Sequence, residues 1–172
     1  MERCCKFIVT LLVLTYVFIP TEIVLAEDNG VNDYDIVPTA QSKSTKERRK
    51  EVIHLTNEEL LLLSKLVTGE ARGETYEGQV AVAAVVINRV IDPRFPNSIE
   101  DVIYQRNAFS VVNDGSINMK PTESAYKAAQ EALYGQDPTK RAVYFWNPEI
   151  ATCQWIKTLD PHVRIGNHVF AK

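Results

Sequence analysis

The chain predicts an α+β fold, helices first and a small antiparallel sheet last. Three observations carry this. Between residues 57 and 134, apolar residues either recur at helical spacing or fill whole helices. Residues 142–146 are then aromatic and β-branched. Finally, Val163-Arg164-Ile165 and His168-Val169-Phe170 flank Gly166-Asn167, a two-residue hairpin signal.

Taken in order, Thr56-Asn57-Glu58-Glu59 has the capping-box pattern, and Leu60, Leu63 and Val67 follow on one helix face. Gly69 is expected to end that helix just before Glu70. A second helix is predicted over 76–90. Its run from Val80 to Ile87 is apolar on nearly every side, which marks a helix buried at the domain centre, and Asp92-Pro93 ends it. Ser98 opens a short third helix. Residues 108–112 read as a brief strand turned by Asn113-Asp114-Gly115. Thr122 caps a fourth helix over 123–134, which Gly135 terminates. Strands over 142–146, 163–165 and 168–170 complete the fold.

The ends carry different messages. Residues 1–26 have the layout of a secretory signal: Arg3 and Lys6, an apolar run over 7–19, and Val24-Leu25-Ala26 before the cleavage point. A spanning helix needs roughly 20 apolar residues, and Pro20-Thr21-Glu22 stops this run early. Residues 27–51 are polar and unpatterned, expected to be a flexible linker. The folded domain is therefore expected over 52–172, outside the cytoplasm and as a monomer. A net charge of −3 gives no basic surface for steering onto nucleic acid, so no such partner is expected. Cys4 and Cys5 leave with the signal, and Cys153 alone forms no intramolecular disulfide.

One stretch carries candidate chemistry. Gly69-Glu70-Ala71-Arg72-Gly73-Glu74 sets two carboxylates between two apolar helices. One reading makes them charges complementing the dipole of the second helix. The other is catalytic: a carboxyl on the lip of a buried helix pair is desolvated, which raises its pKa toward what a general acid needs. Aromatic residues add to the second reading. Tyr144, Phe145, Trp146 and Trp155 accompany Asn147 and Gln154, and rings beside amides suit sugars, although such rings also build cores. Alternation puts Tyr144 and Trp146 on one sheet face and Phe145 on the other. A rival mechanism pairs Cys153 with His162 or His168 as a thiol hydrolase, but Cys153 has neither a helix start after it nor a glycine-rich approach of the kind that activates a thiol. His168, inside an apolar strand, reads as a satisfied core histidine. With no HExxH, paired CxxC or EF-hand loop, no metal or cofactor is expected.

The blocks together resemble a known family. After the Gly69–Glu74 stretch come Tyr76-Glu77-Gly78-Gln79-Val80-Ala81-Val82-Ala83, Asn88-Arg89-Val90, Phe95-Pro96-Asn97-Ser98-Ile99, Ala108-Phe109-Ser110, Phe145-Trp146-Asn147-Pro148 and Arg164-Ile165-Gly166-Asn167-His168-Val169-Phe170. In that order they resemble the catalytic domain of the SleB/CwlJ family of cell-wall hydrolases, the spore cortex-lytic enzymes. The resemblance covers almost everything after Leu60. It implies a lysozyme-like, resuscitation-factor-like fold and lytic transglycosylase activity on peptidoglycan glycan strands, with Glu70 as the catalytic residue. Glu74, Gln105, Phe109, Tyr144, Trp146 and Asn147 are the candidates to hold the glycan. A hydrolytic muramidase and a non-catalytic wall-binding module are the alternatives. No N-terminal peptidoglycan-binding repeat is expected ahead of the domain, and Cys153 stands where small polar residues are usual in the family.

Overall fold

The computed structural model describes residues 49–172; the predicted signal segment, and the predicted linker up to residue 48, lie outside the described residues. Among the described residues the helices are α1 (Asn57–Glu70), α2 (Tyr76–Ile91), α3 (Ile99–Tyr104), α4 (Ser110–Asn113) and α5 (Glu123–Leu133). The strands are β1 (Tyr144–Trp146), β2 (Val163–Ile165) and β3 (His168–Ala171).

The apolar run of α2 needs no polar face because it is covered on two sides. Val82, Ala83 and Val86 pack among the helices, while Ala81 and Val85 pack against Ala142, Ile165 and Phe170. Alanines at the contacts let α5 lie close along both α2 and α1. The caps expected from sequence are in place. Thr56 Oγ1 accepts the Glu59 N–H at 3.2 Å and the Glu59 carboxylate accepts the Thr56 N–H at 2.9 Å, while Ser98 and Thr122 cap α3 and α5. The chain is already tied down at Arg49, whose guanidinium meets the Glu131 carboxylate at 2.7 Å.

The sheet runs in the order β1-β3-β2, all antiparallel. Phe145 sits opposite Phe170 and Trp146 opposite Val169. Phe145 faces the helices, and Trp146 packs on the other side with Val169, Ala171, Ile156 and Leu159, as strand alternation requires.

One element differs from expectation. Residues 108–112 are not a strand: Ser110–Asn113 makes the single turn of α4, entered through extended Phe109 (φ −138°). Strand preference is a preference for a pleated, half-buried surface with a neighbour to pair with. Here Val111 is buried against the end of α1, and its N–H goes to a carboxylate instead of a strand.

Candidate active site

Glu70 lies in the last turn of α1. The helix does not stop at Gly69 as expected; it continues through Glu70, and the Ala71 N–H closes it on Val67 O at 2.9 Å. Gly69 meets a different need. A Cβ at this position would collide with Val111 Cγ1, so only glycine lets α4 rest directly on the end of α1.

That close approach builds the carboxylate's environment. Ser110 Oγ donates to Glu70 Oε1 at 2.9 Å and the Val111 N–H donates to the same oxygen at 3.1 Å. Burial pushes the carboxyl above the ordinary carboxylate range. The Val111 and Ser110 donors pull the other way without offsetting burial, and the charge of Asp114 adds a little to the rise. With Oε1 occupied by two donors, the proton of the neutral acid resides on Oε2.

Behind this group stands a buried cation. Arg89, in the apolar α2, donates from Nε to Val143 O at 2.7 Å. Its guanidinium lies 4.9 Å from the Phe109 ring centroid, 5.3 Å from Phe95 and 5.7 Å from Tyr144. Burial lowers its pKa to about 10, with Tyr144 and Glu70 acting in the opposite sense, so it stays charged at neutral pH. One side chain thus joins α2, the approach to α4 and the first strand through cation–π contacts.

Glu74 is placed otherwise. It follows Gly73 (φ +80°) in the α1–α2 connection, off the helix that carries Glu70, so the two carboxylates share no helix face. Its side chain is 5% exposed. Oε2 accepts the Asn167 N–H at 3.2 Å and Oε1 accepts Asn167 Nδ2 at 2.9 Å, which staples the connection to the β2–β3 turn. A Cβ at Gly166 would strike Glu74 Oε2. His168 Nδ1 is 3.8 Å from Oε1, and burial pushes the imidazole down against the pull of Glu74. The ring packs edge-on to Phe145, yet its buried Nδ1 has no hydrogen-bond partner among the described residues, so the expected satisfied core histidine is half-buried and not fully satisfied. Replacing Glu74 with Ala removes the acceptor of both turn donors and is expected to destabilise the fold by about 1–3 kcal/mol, the range for hydrogen bonds to a charged group. Denaturant unfolding checks this; a loss of the size seen at open surface positions would contradict the staple.

The remaining candidates separate by exposure. Tyr144 and Asn147 are half-buried, with Asn147 Oδ1 accepting the Glu149 N–H at 2.9 Å, and Gln105 is exposed at the end of α3. Phe109 and Trp146 are enclosed at 3% and 8% exposure. Glu70, Phe109 and Tyr144 are linked through Ser110 and Arg89; Glu74 belongs to the hairpin turn and Trp146 to the layer beneath the sheet. The two histidines of the thiol alternative have contacts of their own. His162 Nε2 donates to Thr139 O at 2.9 Å and His168 faces Glu74, while Cys153 sits half-buried in the loop before residues 156–158. Among the described residues no cluster of His, Cys, Asp and Glu is arranged to hold a metal ion.

Three contributors went unassigned from sequence: the Ser110 hydroxyl, the Val111 N–H and Arg89. Arg89 had a signal, a cation at the end of a run otherwise apolar on every side. The donors on Glu70 had none, because they depend on how α4 docks.

The chain belongs to the cell wall hydrolase family, whose model matches residues 73–171. Glu70 lies just before that segment. The chain is 48% identical over 117 residues to the spore cortex-lytic enzyme of Bacillus subtilis (strain 168), a match covering 68% of this chain and 38% of that protein. Two solved structures match with a TM-score of 0.66 and 45% identity, each over 69% of this chain. One is the catalytic domain of the Bacillus cereus SleB protein, 93% of which is covered. The other is the catalytic domain of the germination-specific lytic transglycosylase SleB from Bacillus anthracis, 97% covered. This chain thus spans well under half of the full-length B. subtilis relative and nearly all of the solved catalytic domains. The fold is α+β and lysozyme-like.

Proposed function

We propose that this chain is a peptidoglycan lytic transglycosylase that cuts the bond between N-acetylmuramic acid and N-acetylglucosamine, acting on spore cortex during germination. The observation that carries the reading is Glu70: a carboxyl raised by burial, with one oxygen fixed by two donors and the other left to carry a proton. The relatives named for cortex lysis and for lytic transglycosylation support the choice of substrate and outcome.

The steps follow from one acid. Glu70 gives its Oε2 proton to the glycosidic oxygen, the bond from that oxygen to muramic C1 breaks, and N-acetylglucosamine leaves with a free hydroxyl. The carboxylate then takes the proton of the muramic 6-hydroxyl, whose oxygen bonds to C1. Glu70 ends protonated, and no water is consumed. Since the nucleophile belongs to the substrate, a second catalytic carboxylate is unnecessary, in contrast with two-carboxylate glycosidases. The reading is supported by Glu74, which is locked in the hairpin turn.

Tyr144, Asn147 and Gln105 are proposed to touch the glycan, while Phe109, Trp146 and Glu74 shape the site from behind. Secretion through a signal over 1–26, a linker over 27–51 and action as a monomer complete the proposal. Mass analysis of the fragments released from purified cortex tests it. Anhydro ends, one water lighter than reducing ends, are expected; reducing muramic ends would make the enzyme a muramidase, and sedimentation with the wall without release would make it a binding module.

A further inference from the structure

Outside the immediate surroundings of Glu70, the feature that stands out is a tryptophan left in water. The sequence has two tryptophans, and the fold treats them oppositely: Trp146 is 8% exposed and Trp155 is 48% exposed. Exposing a large ring forgoes burial worth roughly 25 cal/mol per Å². The fold nevertheless holds Trp155 in place. Its carbonyl accepts both the Thr158 N–H at 3.0 Å and Thr158 Oγ1 at 2.7 Å, so the backbone beneath the ring is fixed. The indole meets the Tyr144 ring at right angles, with centroids 5.3 Å apart.

Tyr144 is braced in turn. Phe95 lies 5.9 Å from it on one side and the Arg89 guanidinium 5.7 Å away behind it. The same guanidinium reaches Phe109, the residue just before Ser110, which donates to Glu70. Trp155 is therefore the outer end of a series of ring and cation–π contacts that reaches Phe109, the chain neighbour of Ser110. Ile150, in the same loop, is 69% exposed and adds apolar surface.

We propose that Trp155, backed by Tyr144, is a sugar-stacking subsite for a ring of the same glycan strand that is cut at Glu70. The C–H face of a pyranose fits an indole face, and a ring already fixed in place loses little freedom on binding. This inference rests on the glycan reading of the site but not on whether water or the 6-hydroxyl is the nucleophile. Trp146 is the enclosed partner of Val169 and Ala171, so among the two tryptophans the stacking surface belongs to Trp155.

The test uses the full chain carrying Glu70→Gln, so that bound glycan is not consumed, with a peptide-free tetrasaccharide of alternating N-acetylglucosamine and N-acetylmuramic acid as probe. Tryptophan emission is expected to shift on binding and to become less accessible to acrylamide. Adding Trp155→Ala is expected to abolish the shift and weaken binding about tenfold, measured by calorimetry. Adding Trp155→Phe instead retains a ring and is expected to restore most of the affinity, which separates stacking from a disturbed loop. Equal affinity with and without Trp155, or binding without any change in emission, would overturn the subsite. Failure of the tetrasaccharide to bind the Glu70→Gln protein at all would overturn it together with the glycan reading. Binding that depends on Trp155 alongside reducing-end products in the active enzyme would leave the subsite standing and overturn transglycosylation alone.

Discussion

Glu70→Gln is expected to reduce release of glycan fragments by about 10²–10⁴-fold, the contribution of a positioned acid, while leaving the fold intact. The amide oxygen still accepts from Ser110 Oγ and the Val111 N–H, so α4 keeps its seat, but no transferable proton remains. The variant is also expected to be more stable than the parent at neutral pH. The folded-state pKa of Glu70 is raised, so the carboxyl's contribution to stability is fully present below its unfolded pKa and lost as pH rises through the folded one. Glutamine does not titrate, so the gap in melting temperature closes on the acid side. The activity of the parent has the same limb: it falls as pH rises through the raised pKa and the acid loses its proton. Undiminished activity in the variant would remove Glu70 from the mechanism; a stability gap that widens toward acid would contradict a desolvated carboxyl.

The second large effect is expected at Gly69, which touches no substrate. Gly69→Ala puts a methyl group where Val111 Cγ1 lies, and α4 must move to admit it. Overpacking of this kind costs about 1–3 kcal/mol. Activity is expected to fall further than that loss of stability explains, since displacing the donors by about 1 Å misaligns the acid, an effect of about 10²-fold. Gly73→Ala is the control. Its Cβ meets nothing within 4 Å, although φ is +80°, so it strains the backbone without pushing α4. Turnover measured beside unfolding curves separates the two: a loss in Gly69→Ala no greater than in Gly73→Ala would mean that α4 does not set the geometry of the acid.

Much of the fold was legible because local chemistry and tertiary packing agree. The capping box at Thr56, the all-round apolar α2 and the Gly166-Asn167 hairpin each have one physical solution, and the structure adopts them. The reading failed where packing between distant segments decided the outcome. Val111 and Val112 look like strand, but no strand edge is offered to them, and a glycine 42 positions before Val111 lets the segment dock as a helical turn instead. The same docking supplies the donors on Glu70, so neither Ser110 nor the Val111 N–H could be assigned from spacing. Glu74 resembles Glu70 in sequence and differs in fate for the same reason, because its partner, Asn167, lies 93 residues away. The aromatic cluster was visible as composition, while the difference between enclosed Trp146 and exposed Trp155 depends on which sheet face the loop covers.

In this mechanism a single part-buried acid cuts the strand and the substrate supplies its own nucleophile. Digestion of purified cortex in heavy-oxygen water tests it most directly. New muramic ends are expected to be anhydro and free of solvent oxygen, and to be missing when Glu70→Gln replaces the parent. Solvent oxygen in every new end would show water to be the nucleophile and contradict the account.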